Sequence, residues 1–129
     1  MKKKLILLTA NELRHSYFAC FLSSHKNIDL KLVVHESNVK LKKNILYKKD
    51  KLIKKHVDLR NKTEIIDFKK FIKLNKKYDS INIKNGNINE EKVINLIRMK
   101  EFDYIISYGC SIIPPTFINK FKNKILNIH

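Results

Sequence analysis

The sequence predicts an α/β fold, an open and mostly parallel sheet of about five strands with helices packed beside it. Two features of the chain indicate this class. Short apolar runs that fit strands alternate with longer segments that fit amphipathic helices. A helical segment separates the first two runs, and such a strand–helix–strand unit joins parallel strands. With 129 residues, the chain is predicted to form one domain, residues 1–129.

The first strand–helix–strand unit has the most regular pattern. Residues 5–8 are continuously apolar, which is typical of a strand buried on both faces. Residues 12–24 carry apolar side chains at helical spacing, and Asn11 is placed to cap this helix. Residues 30–34, with the sequence LKLVV, fit a second strand.

The middle of the chain is predicted to be helical and basic. Residues 38–61 carry Leu41, Ile45 and Leu52 near helical spacing, which indicates a solvated amphipathic helix. A helix lying on a membrane surface is the alternative interpretation of this segment. Thr63 is placed to cap a further helix.

The last part of the chain returns to the alternation of strands and helices. Residues 80–83 and 103–107 fit a third and a fourth strand, and a helix capped by Asn89 lies between them. A short helix over residues 116–121 then leads to a fifth strand, residues 125–128. The predicted sheet is therefore Rossmann-like.

Ligands of such sheets bind at the carboxyl ends of the strands, near the point where the strand order reverses. This rule selects residues 9–12, 108–113 and 127–129. The turn after the first strand has neither the dinucleotide-binding glycines nor a phosphate-binding P-loop. The helix that follows still presents backbone N–H groups to an anion, although an Arg–His pair in a first turn is also typical of a solvated face. The residues predicted to bind substrate are Thr9, Asn11, Arg14 and His15.

The end of the chain carries an Asn-x-His pattern. Asn127 and His129 lie two positions apart on the predicted fifth strand, so their side chains point to the same side of the sheet. An amide donates a hydrogen bond to a developing oxyanion, and an imidazole donates to it or moves a proton. Spacing alone is a weak signal here, because this pattern is common by chance.

The net charge of +16 raises the question of a nucleic-acid partner. Only Arg14, Arg60 and Arg98 among the 28 basic residues are arginines, the better readers of bases and phosphates. The lysines are spread along the chain, so a solvated basic surface is favoured over a nucleic-acid partner. No apolar run is long enough to span a membrane. Cys20 and Cys110 fit no metal-ligand spacing, so we expect two reduced thiols in a cytoplasmic protein and no metal site.

Residues 83–129 contain a series of motifs in a fixed order. A strand that begins with Asp103 is followed by Tyr108-Gly109, by an apolar segment that ends in Pro114-Pro115, and by a strand that ends in Asn-x-His. This order resembles the N-terminal half of the folate-dependent formyltransferases. That family includes glycinamide ribonucleotide, methionyl-tRNA and sugar-nucleotide formyltransferases. The resemblance is weaker over residues 1–82, where only the strand–helix–strand frame matches.

The resemblance implies transfer of a formyl group from 10-formyltetrahydrofolate to a primary amine of a small substrate. It implies that Asn127 and His129 stabilise the oxyanion that forms when the amine attacks, and that His129 helps to move the proton. An aspartate that orients this histidine in the family falls beyond residue 129, so the chain is expected to be a fragment with little or no transferase activity. The residues that the resemblance places in the folate pocket, largely through backbone groups, are Tyr108, Gly109, Cys110, Ser111, Ile112 and Ile113.

The acceptor and three rival functions stay open. The first turn lacks the glycines with which the purine-pathway members hold a substrate phosphate, which argues against glycinamide ribonucleotide and favours another small amine, with an amino sugar on a nucleotide as one candidate. One rival is a formyltetrahydrofolate hydrolase that uses water as the acceptor. The second is a non-catalytic α/β binding module, and the third is a basic nucleic-acid binder, whose association with RNA or DNA would depend steeply on salt. The sequence does not indicate an oligomeric state.

Overall fold

The computed structural model describes residues 1–37 and 50–128. These residues form one five-stranded sheet in which every neighbouring pair of strands is parallel. The strands are β1 (Lys3–Ala10), β2 (Ile28–Glu36), β3 (Ser80–Ile83), β4 (Tyr104–Tyr108) and β5 (Ile125–Ile128). Their spatial order is β3-β2-β1-β4-β5, which confirms the predicted parallel α/β sheet.

Helices lie on both faces of the sheet. The described helices are α1 (Leu13–Ser24), α2 (Lys51–Asn75), α3 (Glu91–Arg98) and α4 (Pro115–Lys120), with a 3₁₀ turn at Asn87–Asn89. Side chains of α3 and α4 pack with Ile6, Val34 and Ile105 on one face. Side chains of α1 pack with Leu7 and Val33 on the other. The continuously apolar run in β1 follows from this arrangement, because the central strand is covered on both sides.

Helix α2 forms an outer layer on α1. Tyr17 of α1 stacks on Phe68, with 4.3 Å between the ring centroids, and the Ser23 hydroxyl donates to the Asn75 carbonyl at 3.2 Å. None of the residues of α2 is fully buried. The predicted basic helical segment is confirmed over residues 51–61, whereas residues 38–49 lie outside the described residues.

The predicted helix caps are wrong in detail. Thr63 lies inside the single 25-residue helix α2, where its hydroxyl donates to the Leu59 carbonyl, and Asp50 caps the helix instead. Helices α1 and α3 begin after Glu12 and Glu90, one residue later than the predicted caps. The Asn89 amide is used elsewhere, since it donates to the Thr116 hydroxyl at 2.8 Å.

Among the described residues, no helix has both the length and the apolar character needed to span a membrane. Helix α2 has the length but carries charged residues throughout.

Candidate functional site

The strand order reverses between β1 and β4. The chain runs from β1 outward to β2 and β3 on one side, and from β4 to β5 on the other. Thr9 at the carboxyl end of β1 is fully buried, and its hydroxyl donates to the Tyr108 carbonyl at 2.6 Å. This hydrogen bond links the two strand ends at the place where ligands of open α/β sheets bind.

A cavity of about 560 Å³ opens at the carboxyl end of β4. Its wall is Ser107 of β4 and the loop of residues 108–113, together with Ile118 of α4 and three residues of β5. All six residues predicted for the folate pocket line it: Tyr108, Gly109, Cys110, Ser111, Ile112 and Ile113. Five isoleucines from the loop, α4 and β5 are therefore among the residues that line the cavity.

Asn127 lines the same cavity from β5. Its amide oxygen accepts a hydrogen bond of 2.8 Å from the hydroxyl of Ser107, the residue paired with it on β4. Because Ser107 is buried, this bond fixes the amide with its oxygen toward β4 and its NH₂ group away from that strand. His129 lies outside the described residues, so its position beside Asn127 stays a prediction.

The residues predicted for substrate binding have different surroundings. Asn11 is exposed between β1 and α1. Arg14 is engaged by two carboxylates, with 3.1 Å from Nη2 to Glu12 and 3.4 Å from Nε to Glu64. An anionic group of a ligand at this place would compete with both carboxylates for the guanidinium. Thr9 is buried under the Tyr108 carbonyl, and the roles of all four residues stay predictions.

His15 is packed against the cavity loop. Its ring lies edge-on to Tyr108, with 5.3 Å between the centroids, and the side chain is largely buried. Gly109 has a φ of 66°, and a Cβ at this position would lie 2.6 Å from His15 Nε2. Glycine is therefore needed here both for the left-handed backbone and for the close approach of the imidazole.

Sequence reasoning missed Glu36, the last residue of β2. Its side chain is buried at 4% exposure. The carboxylate accepts hydrogen bonds from the backbone N–H of Ser111 at 2.9 Å, from the Ser111 hydroxyl at 2.8 Å and from the Asn85 amide at 3.0 Å. The available signal was its position, because a carboxylate that ends a buried strand lies at the carboxyl edge of the sheet.

Burial and the charge of Glu36 determine the protonation state of the Cys110 thiol. Burial, and then the negative charge of Glu36, raise the pKa of Cys110 to about 11. At neutral pH this residue is a neutral thiol and a poor nucleophile. On β2, next to Glu36, burial lowers the pKa of His35, whose Nδ1 lies 3.0 Å from the Ala10 carbonyl oxygen. The described part of the site thus offers hydrogen-bonding groups rather than a reactive thiolate.

A parallel sheet with a cavity at its carboxyl edge, beside the reversal of strand order, defines an α/β protein of the class that binds small ligands there. Solved structures with this fold include a phosphoribosylglycinamide formyltransferase from Anaplasma phagocytophilum, which is 13% identical, with a TM-score of 0.58. Another is glycinamide ribonucleotide transformylase 1 from Geobacillus kaustophilus, which is 14% identical, with a TM-score of 0.55. The structural neighbours of this chain are thus formyltransferases, and the fold that the motifs predicted is confirmed.

The match covers the whole of this chain but only 50% and 58% of those two proteins. The chain therefore spans about half the length of the solved structures that it resembles. No family model matches the sequence, and no curated protein matches it. At this level of identity the likeness concerns the fold.

Proposed function

We propose that this chain contributes the donor pocket and the oxyanion-binding residues of an enzyme that transfers a formyl group from 10-formyltetrahydrofolate to a primary amine. The observation that carries the proposal is the cavity in which the loop of residues 108–113 faces Asn127. The motif resemblance assigned these two segments to one site, although they come from different strands.

The walls of the cavity fit the flat, polar-edged ring of a reduced folate. Ile112, Ile113 and Ile125 supply apolar contact, and the loop backbone supplies hydrogen-bonding groups for the ring edge. The volume of about 560 Å³ lies within the usual range of about 300–1,000 Å³ for small-molecule pockets. The bound folate supplies an activated one-carbon unit at the formyl oxidation level.

Asn127 has the chemistry to bind the oxyanion that develops at the formyl oxygen. Its NH₂ group is directed away from Ser107, whose hydroxyl holds the amide oxygen. A donor fixed before the reaction stabilises developing charge without reorganisation during the step. His129 is proposed to move the proton from the attacking amine, and the high pKa of Cys110 supports direct attack by the amine over a thioester route.

The acceptor is proposed to be a small amine, with an amino sugar on a nucleotide as one candidate. Arg14 is paired with Glu12 and Glu64, so an anionic group of the acceptor would have to compete with these carboxylates for the guanidinium. The first β–α turn likewise contains no glycine with which to cradle a phosphate.

The test combines binding and turnover. Calorimetry with 5-formyltetrahydrofolate, a stable relative of the donor, is expected to show binding to the chain. Turnover is measured on the polypeptide extended through any continuation of its reading frame, with a panel of amines and with none. Transfer to an amine supports the proposal, whereas release of free formate without an amine identifies the hydrolase instead.

Asn127→Ala is the diagnostic variant. It is expected to lower kcat by about 10²–10³-fold, as loss of one oxyanion donor does, and to leave folate affinity unchanged because the apolar contacts of the pocket come from its isoleucines. Asn119→Ala, on the exposed side of α4, is the matched control. Failure of the wild-type chain to bind any reduced folate overturns the proposal.

A further inference from the structure

Glu36 joins three segments at the carboxyl edge of the sheet. It ends β2, accepts two hydrogen bonds from Ser111 in the loop after β4, and accepts a third from Asn85 in the turn after β3. Both carboxylate oxygens are used, one by the Ser111 hydroxyl and the other by the Ser111 and Asn85 N–H groups. The two loops are thereby tied to a single side chain.

Burial of a carboxylate is energetically unfavourable compared with burial of an apolar side chain. Its desolvation opposes burial, and only well-made hydrogen bonds compensate for it. The backbone pairing at the same place does not depend on the side chain, because the sheet register from Val33 to Glu36 and the bond from Ser37 N–H to the Ile83 carbonyl are made by the main chain. The Glu36 side chain is therefore not needed for the strand pairing, and its burial calls for another explanation.

The loop that Glu36 holds is the cavity wall. Residues 108–113 are fixed at two points: Gly109 lies against His15, and Ser111 is held by Glu36 through its backbone N–H and its hydroxyl. Ile112 and Ile113, which follow directly, line the cavity. The position of these two residues thus depends on the two bonds to Ser111.

We propose that Glu36 is a positioning residue for the ligand cavity. It holds Ser111 so that the backbone of residues 110–113 presents its hydrogen-bonding groups to the edge of a flat heterocycle. This inference rests on the proposed function, since the heterocycle is the ring of a reduced folate. Glu36 itself lies behind the loop and acts through Ser111.

The experiment uses two substitutions of the carboxylate. Glu36→Gln keeps the geometry, because the amide oxygen accepts from the Ser111 and Asn85 N–H groups while the amide NH₂ donates to the Ser111 hydroxyl oxygen. Glu36→Ala removes all three bonds. Affinity for 5-formyltetrahydrofolate is expected to stay within about threefold of wild type for Glu36→Gln and to fall by about tenfold or more for Glu36→Ala. Glu101→Ala, an exposed carboxylate paired with Lys4, is the control.

Hydrogen exchange without ligand separates this inference from the proposed function. The Ser111 amide is expected to be protected in wild type and in Glu36→Gln, and to exchange faster in Glu36→Ala. If wild type binds no reduced folate, the proposed function fails, and the exchange data still decide whether Glu36 holds the loop. Unchanged exchange at Ser111 in Glu36→Ala overturns the positioning role.

Two further variants keep the test decisive if Glu36→Ala does not fold. Ser111→Ala removes one bond on the cavity side, and Asn85→Ala removes the bond on the other side. Folate affinity is expected to fall for Ser111→Ala and to remain at the wild-type value for Asn85→Ala. Equal losses in the two variants would show that Glu36 only stabilises the edge of the sheet, and would refute its action through Ser111.

Discussion

Gly109 is a residue of the cavity loop that lies against His15 of helix α1. Substitution by alanine places a Cβ 2.6 Å from His15 Nε2 and strains a φ of 66°. We expect a loss of about 2–5 kcal/mol in the free energy of unfolding, from the left-handed backbone and from overpacking together. Urea denaturation measures this loss.

Gly86→Ala separates these two causes. Gly86 also has a positive φ, of 81°, but a Cβ there meets open space, so only the backbone cost of about 1–2 kcal/mol is expected. In a His15→Ala background, Gly109→Ala should cost no more than Gly86→Ala. A cost that is unchanged by removal of His15 would contradict the packing argument.

Cys110 gives a direct measurement of the Glu36 charge. Its pKa of about 11 predicts alkylation that accelerates with pH beyond the range of an ordinary thiol. Glu36→Gln removes the negative charge, which lowers this pKa and speeds alkylation at pH 8, while Glu101→Gln leaves the rate unchanged. Peptide mass spectrometry distinguishes Cys110 from Cys20. Slower alkylation in Glu36→Gln would be the contrary result.

The raised pKa of Cys110 also makes the free energy of unfolding depend on pH. The folded state holds the Cys110 proton up to about pH 11, whereas the unfolded thiol, with its ordinary value of 9.0, loses it earlier. The unfolded chain therefore binds fewer protons between these values, and the free energy of unfolding falls as the pH rises through them. Below pH 9 this contribution is fully present.

At the scale of residues, the sequence singled out residues that line one cavity, whose roles stay predictions, but not the side chain that holds the loop. The carboxyl-edge rule and the motif order identified residues 108–113 and Asn127, which do line one cavity. The role of Glu36 could not be predicted from the sequence because its hydrogen-bond partners are distant in the chain: Ser111 lies 75 residues away and Asn85 lies 49 residues away. The ion pair between Arg14 and Glu64 of α2 could not be predicted for the same reason, since no spacing pattern relates these two residues.

Helix α2 shows what sets the boundaries of elements. Residue patterns predicted a separate helix at Thr63 because threonine is a common cap, yet Asp50 caps one continuous helix. Intrinsic helix and capping propensities are local properties of the sequence, and they do not decide whether two adjacent helical segments join into one helix. The strands were predicted more accurately, but β1 and β2 extend beyond their apolar runs because pairing with neighbours recruits the flanking residues.

Tyr17 joins α1 to α2 through two ring contacts. Its ring lies 4.3 Å from that of Phe68 and 4.9 Å from that of Phe71. Tyr17→Ala is expected to lower the free energy of unfolding by about 1–3 kcal/mol and to increase hydrogen exchange in residues 64–75 more than in β1. Tyr17→Phe keeps the ring and should change neither quantity. Equal deprotection of α2 and β1 would mean that α2 does not open as a separate layer.

The whole molecule combines a high positive charge with an apolar region that is exposed in the part of the chain that the structure describes. Helix α1 covers one face of the sheet over β1 and β2, and on the same face β4 and β5 carry Tyr104, Leu126 and Ile128, all at least one-third exposed. β5 is also an edge of the sheet in the part of the chain that the structure describes. Exposed apolar edges favour association, whereas the net charge of +16 opposes it.

The balance between these two effects predicts how the 129-residue polypeptide responds to salt. Salt screens the repulsion between copies, with a screening length of about 10 Å at 0.1 M and about 3 Å at 1 M, and leaves the apolar contact intact. Light scattering should therefore show association that increases with ionic strength. Leu126→Lys should suppress it by placing a charge on the apolar region, as lysines do on natural sheet edges. Leu74→Lys, which adds the same charge at an exposed leucine of α2, should have a smaller effect. Equal suppression by the two variants would point to net charge alone, and association that weakens with salt would point to ion pairs between copies rather than to the β4–β5 face.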